Sequence, residues 1–395
     1  MFILGKGGAM RFIRRLVLVL LTGLSVPVVQ ADVPADKAIF STAPLMNGDQ
    51  RWRVGYFEGG EYVDYQKILI ETIKGLMKLG WIEKVEIPDQ EGEQTAELWR
   101  WLQDSIHSDY IEFVNDAHYS AHWNEDLRDQ EVKKIINRLN HKKDIDLMIA
   151  MGTLAGKALS NDRHQTPTMV LSATDPLSAG IIKSVSDSGY DHIHATVDPN
   201  RHERQVRVFH DIVNFTKLGI AYEDTDNGRS YAALPVIERL SLERGFEIVR
   251  CHTQSDISDM TKAEASVADC FRKLAPKVDA IYVTAQGGVN GHSIAQLVSI
   301  ANENRVPTFS QSGSEEVKKG FLLSLSQAGF RYIGEFHAST FAKVFNGALP
   351  NQLTQFFEEP PRMAVNLKTA EIVGFNPPLL LLGAADEVYR NIPSE

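Results

Sequence analysis

The chain has 395 residues, too many for one ordinary small domain and enough for two lobes of about 150–200 residues each. Its hydrophobic fraction of 43% and ordinary glycine, proline and charge content predict a globular, soluble protein. A net charge of −10 argues against general nucleic-acid binding.

Residues 1–31 have the order of a secretory signal peptide. Lys6, Arg11, Arg14 and Arg15 make a basic start, Leu16–Leu24 is an apolar run, and Val29-Gln30-Ala31 fits a small-x-small cleavage site. The run is too short to span a bilayer permanently. No Cys lies near the cleavage site to take a lipid. Removing the segment takes away four basic and no acidic residues, which moves the net charge from −10 to −14. The expected product is an exported, acidic, soluble protein of the periplasm.

Residues 32–50, with Pro34 and Pro44, read as an unstructured leader. Arg53–Phe57 is the first strand and ends at Glu58-Gly59-Gly60. Tyr65–Leu79 has the apolar spacing of an amphipathic helix, and Gly80 stops it. Val85–Ile87 is expected as a strand, Ala96–Ile106 as a helix, Tyr110–Val114 as a strand and Asp129–Leu139 as a helix. His118 and His122 stand four apart, a spacing that chelates metal on a helix. No third ligand lies nearby, and a solvated pair is the simpler reading. Ile145–Ala150 is an apolar strand that runs into Gly152-Thr153, where a helix to about Leu159 opens. Free N–H groups and the positive end of the helix dipole suit an anion there. Thr168–Leu171 is the next strand, tipped by Ser172-Ala173-Thr174-Asp175-Pro176. Strand followed by helix, repeated, predicts a parallel sheet, because parallel neighbours need helical crossovers. His192 and His194 alternate on a segment read as a partly exposed strand.

A second series starts with the helix His202–Phe215 and the strand Lys217–Tyr222. The acidic loop Glu223–Ser230 follows, with Asp226 or Asn227 as a cap for a helix from about Tyr231 to Arg244. Phe246–Arg250 is a strand and Met260–Leu274 a helix. The stretch from Val278 to Ser312 repeats the pattern: strand Ala280–Val283, a turn at Gly287-Gly288, helix His292–Asn302, strand Val306–Phe309 and a polar tip at Ser310-Gln311-Ser312. Glu315–Lys319 is a helical turn, Phe321–Ser326 a strand and Phe330–Phe345 a helix. Ala364–Leu367, Lys368–Val373 and the apolar segment Leu379–Val388 close the chain. Cys251 and Cys270 either pair in an oxidising compartment or stand as two buried thiols; sequence does not fix their separation.

Motifs for covalent chemistry are missing. No G-x-S-x-G, HExxH, CxxC, DxDxDG or post-strand GxGxxG occurs, and no carboxylate pair is singled out for acid/base work. The reading is a binder without cofactor or metal rather than an enzyme. In open α/β sheets the loops at strand carboxyl ends form the binding crevice. Those ends offer Tyr56 and Phe57; Gly152 and Thr153; Ala173, Thr174 and Asp175; Tyr222, Asp226, Asn227 and Ser230; Thr284 and Gln286; and Gln311 and Ser312. A free amino acid would place its carboxylate on N–H groups and hydroxyls, and its ammonium on Asp175 or Asp226.

Four stretches carry a family resemblance: VDAIYVTAQGGV, VPTFSQSGSEEVKKGFLLSLS, FRYIGEFHASTFAKVFNGALP and, most specific, MAVNLKTAEIVGF. The chain resembles the substrate-binding proteins of ABC transporters, in the group that includes tryptophan and other aromatic amino-acid binders. The resemblance implies a type I periplasmic-binding-protein fold: two doubly wound parallel-sheet α/β lobes joined by a three-segment hinge. It puts 51–195 with 313–350 in the N-terminal lobe and 196–312 with 351–395 in the C-terminal lobe. It implies a protein that binds a small molecule in the interlobe cleft and meets an inner-membrane ABC permease; a monomer is expected, since lobe closure needs a free cleft. A sensor subunit that reports to a membrane signalling receptor is the alternative, and an exported α/β enzyme a more distant one. The chain departs from the family at Ala285-Gln286, at the acidic Glu223–Arg229 loop and in the Trp99–Trp123 region, so the ligand is not carried over with the fold.

Overall fold

A computed structural model describes residues 35–90, 92–255, 257–326, 330–358 and 362–393. The expected signal peptide and Pro360-Pro361 lie outside these. The first lobe is built from β1 (Trp52–Glu58), α1 (Val63–Lys78), α2 (Thr95–Ser105), β2 (Ile111–Ser120), α3 (Glu125–His141), β3 (Leu147–Met151), α4 (Gly152–Leu159), β4 (Thr168–Leu171) and β5 (Ile193–Ala195). Its five strands run β2-β1-β3-β4-β5, all parallel. Period-2 alternation sorts the strands onto two cores. Leu147, Ile149 and Met151 face the cluster with α1 and α2, while Met148 and Ala150 face the one with α3 and α4.

The second lobe holds α5 (Arg201–Val213), β6 (Lys217–Tyr222), α6 (Asp226–Tyr231), α7 (Leu234–Arg244), β7 (Glu247–His252), α8 (Met260–Leu274), β8 (Ala280–Val283), α9 (Ile294–Glu303), β9 (Thr308–Ser310), α10 (Ser314–Lys318) and β10 (Leu323–Ser326). After α11 (Arg331–Phe345) come β11 (Arg362–Asn366), α12 (Leu367–Val373), α13 (Leu379–Ala384) and β12 (Ala385–Tyr389). The seven strands run β12-β11-β10-β9-β8-β6-β7, and only the β10–β11 pair is antiparallel. The stretch β7-β6-β8-β9-β10 repeats the order of the first sheet. Cys251 on β7 and Cys270 on α8 form a disulfide, with Cα atoms 5.5 Å apart.

Helix α11 leaves the second sheet and packs against α1. Gly75 and Gly334 permit the close approach: a Cβ on Gly75 would stand 2.6 Å from the Ala338 Cβ, and one on Gly334 2.5 Å from the backbone of Glu71. The segment 313–350, expected on the first lobe, therefore divides, with Leu323–Ser326 in the second sheet and α11 on α1. The chain then returns past its earlier crossing. Val197 donates to the Gln355 carbonyl at 2.8 Å, and Phe357 donates to the Val197 carbonyl at 3.0 Å.

Several local expectations change. Val85–Ile87 is not a strand: Pro88 follows it, and the ten-residue β2 fills the place beside β1. The helix expected over Tyr231–Arg244 is two, α6 and α7, parted at Ala233 with φ 52°. Thr225, not Asp226 or Asn227, caps α6 by accepting from the Gly228 N–H at 3.0 Å. His192 and His194 are buried rather than partly exposed, and each ring meets a carbonyl, of Asn161 at 3.2 Å and Thr354 at 2.8 Å. The leader is tied down. Trp81 Nε1 donates to the Thr42 carbonyl at 2.9 Å, and Lys343 reaches Asp36 at 2.6 Å. Among the described residues no helix is long and apolar enough to cross a membrane.

Candidate functional site

A cavity of about 130 Å³ lies where the carboxyl ends of both sets of strands meet. From the first lobe it takes the first turn of α1, the tip after β2, the start of α4 and the tip after β4. From the second it takes the start of α5, α6 and the tips after β8 and β9. This is where a doubly wound sheet leaves its helix ends open to a ligand.

The first-lobe wall begins at the turn after β1. Trp123 packs its ring over Gly60, 2.5 Å from where a Cβ would stand, so only glycine admits it there. The Trp123 backbone N–H donates to the Gly59 carbonyl at 2.8 Å and its indole N–H to the Glu61 carbonyl at 3.1 Å. Tyr62, Asp64 and Tyr65 follow, on or just before the first turn of α1. The Tyr62 hydroxyl stands 3.4 Å from that of Ser312, which belongs to the other lobe. At the tip after β4, Ser172 holds φ 59°, an uncommon backbone for a non-glycine residue, and Ala173 and Thr174 follow it into the lining. Further bonds tie the lobes. Lys157 donates to Asn227 at 2.9 Å, and His202 Nε2 stands 3.2 Å from the Thr174 carbonyl. Burial first, with the Arg201 charge adding, lowers the His202 pKa to about 4, so its ring is neutral.

The second-lobe wall is made of amides already committed inward. Gln286 accepts from the Thr253 and Ser255 hydroxyls and donates to the Ala221 carbonyl and to Thr284. Gln311 accepts from the Ala285 N–H at 2.8 Å and donates to the Tyr231 carbonyl at 2.8 Å. Such saturated buried networks fix a wall's shape rather than grip a guest.

Of the residues expected from strand ends, Thr153, Ala173, Thr174, Asn227, Gln286, Gln311 and Ser312 line the cavity. The others do not. Tyr56 and Phe57 are buried in opposite cores, and the Tyr56 hydroxyl donates to Glu58 at 2.8 Å. Gly152 opens α4 beneath the Tyr65 hydroxyl. Asp175 is occupied with its own turn, accepting from the N–H groups of Leu177 and Ser178. Tyr222 is core, Asp226 is exposed in the first turn of α6, Ser230 faces the Asp175 carbonyl at 3.4 Å, and Thr284 donates to the Ala221 carbonyl at 2.8 Å. Tyr62, Asp64, Trp123, Arg201 and Tyr231 were not anticipated. Their signal is position: most of them sit in or beside the first turn of the helix after a strand tip, not on the tip.

His118 lies in β2 and His122 beyond it, so no helix face joins them. His118 Nε2 is 2.9 Å from the Thr95 hydroxyl, and burial lowers its pKa to about 4. Among the described residues no group of three His, Cys, Asp or Glu side chains is placed to hold a metal.

Known proteins agree with this architecture. The family "ABC transporter substrate binding protein" matches residues 102–389. A tyrosine-binding protein of Clostridioides difficile (strain R20291) is 23% identical over 171 residues, 43% of this chain and 46% of that protein, so the match spans about half of that relative. An ABC domain from Streptococcus pneumonia, solved in complex with L-Trp, superposes with a TM-score of 0.66 at 18% identity, covering 86% of this chain and 100% of that one. A conserved domain protein of Vibrio cholerae superposes with a TM-score of 0.65 at 18% identity and the same coverage. The fold is that of the type I periplasmic binding proteins.

Proposed function

The chain belongs to the ABC transporter substrate-binding protein family, and we propose that it is the periplasmic solute-binding component of an importer, which takes a small polar molecule, an amino acid or a relative, into the interlobe chamber and offers it to an inner-membrane permease. One observation carries this reading: a partly open cavity at the strand carboxyl ends, lined from both lobes by the aromatic rings of Tyr62, Tyr65 and Trp123 and by the charged groups of Asp64 and Arg201. The chain passes between the two lobes after β5, between β10 and α11, and between α11 and β11, and these three passages are where a hinge would lie. Ligand binding, with no covalent step, stabilises the closed arrangement that the permease recognises. We take the protein to work as a monomer, since closing the lobes on a ligand needs a free cleft.

The test is a thermal-shift panel of L-amino acids, sugars and nucleosides on protein purified without residues 1–31. Tyrosine and tryptophan, ligands of two similar proteins, come first. A true ligand at a hundred times its Kd adds about 2.7 kcal/mol and raises Tm visibly. No shift with any member of the panel would sink the proposal.

A further inference from the structure

The chamber holds two opposite charges that do not meet. Asp64, in the first turn of α1, has no hydrogen-bond or ion-pair partner among the described residues. Protein surrounds it, and the surface it keeps faces the chamber and an adjoining cavity of about 600 Å³. Burial pushes its carboxyl up to about 6, Lys67 and Arg201 pull it down, and Glu93 pushes it up. Glu316 on α10, beyond Tyr62, is raised to about 7 by burial, with Asp64 adding.

Arg201, in the first turn of α5, belongs to the other lobe. It forms no ion pair among the described residues. Its Nη2 donates one long bond, 3.4 Å, to the Gln311 carbonyl, and its Nε is buried with no partner. The nearby carboxylate of Asp198 is occupied by Arg204, and Lys67 leans over the Phe330 ring at 5.8 Å. Enclosed charges left unpaired are costly. These two sense each other across the cavity and leave a gap between them. A molecule with both signs of charge satisfies both at once.

We infer that the ligand is a zwitterion bridging this gap, its ammonium on Asp64 and its carboxylate on Arg201, and that these two residues select free amino acids over acylated or decarboxylated forms. This rests on the solute-binding reading of the same chamber.

Titration calorimetry with defined probes tests it: L-tyrosine, tyramine and N-acetyl-L-tyrosine, then L-leucine, isoamylamine and N-acetyl-L-leucine. One free amino acid should bind, and each blocked form should bind roughly 30-fold more weakly or worse. Asp64→Asn should weaken the free amino acid by a similar factor and leave the acetylated one unchanged. Arg201→Gln should do the same for the pair that differs in the carboxylate. Wild-type affinity should fall about tenfold per unit as pH drops below 6, and the Asp64→Asn profile should be flat there. Asp64→Asn removes an unpaired buried carboxylate, so it should melt no lower than wild type; Asp64→Glu should restore part of the discrimination. Equal affinity for free and blocked forms overturns the assignment. A response to a sugar or nucleoside but to no amino acid also overturns it, yet leaves the solute-binding reading standing. No response to any compound removes both.

Discussion

On the first lobe, Tyr62 and Asp64 reach the chamber with polar atoms largely uncommitted, whereas on the second Gln286 and Gln311 reach it with their amides bonded inward. Strand order is the same on both sides, so the contrast does not come from topology. It comes from the segments that leave the strand ends. The first lobe sends a helix whose opening turn carries side chains into the gap. The second sends tips that fold back on Thr253, Ser255, Tyr231 and Ala285. Its disulfide stiffens it further. One lobe offers a firm floor, and the other, with Arg201 across from it, the groups proposed to recognise a ligand.

The strongest challenge to that division is Gln286→Leu. It strands several buried hydroxyl and carbonyl groups and should cost about 4 kcal/mol, read as a lower urea midpoint, while Asp64→Asn leaves the midpoint unchanged or higher. The reverse order would break the comparison. Next comes Cys251→Ser with Cys270→Ser. The loop has a sequence separation of 19, and a loop of that size stabilises by about 3 kcal/mol. Hydrogen exchange should quicken in β7 and α8 and stay as it was in the first sheet.

A third measurement uses pH. Burial lowers the pKa of His337 on α11 to about 3 and that of His194 in β5 to about 4. The unfolded chain takes up those protons first, so stability is lost as pH falls from about 6.5 toward 4, by about 1.4 kcal/mol per unit for each group. The stability gap between wild type and His337→Gln should narrow over that window; a constant gap would show that the ring does not titrate as its burial requires. Asp64 has the opposite sign. Its raised pKa favours the fold below 3.8, and that contribution is lost as pH rises through about 6. The smallest effect belongs to Lys157→Ala. The bond to Asn227 is solvent-exposed, and its loss should change stability by no more than about 0.5 kcal/mol and affinity by less than about threefold.

Much of the scaffold was legible because apolar runs here stop abruptly at polar tips. Thr168–Leu171, Lys217–Tyr222 and Ala280–Val283 have in the structure the limits read from sequence. Val85–Ile87 has the composition of a strand, but a sheet position is a contest between segments, and β2 holds the place. The site was half legible for a geometric reason. Thr153, Thr174 and Ser312 stand just past strand ends and reach the chamber. Tyr56, Phe57 and Tyr222 stand inside their strands, where alternation turns side chains into the cores. Asp64 and Arg201 lie a few residues further on, and nothing local marks them. Their meaning appears only when two lobes face each other, and sequence order does not convey that.

The return of α11 to α1 also sets a timetable for biosynthesis. The first sheet's strands are complete at Ala195, but the helix that covers α1 ends at Phe345, about 150 residues later. At roughly 5–20 residues per second, the ribosome needs on the order of ten to thirty seconds to supply it. Throughout that interval the core on the α1 side of the first sheet lacks its α11 side chains, while the core on the α3 and α4 side already has its own, so the two faces of one sheet finish packing at different times.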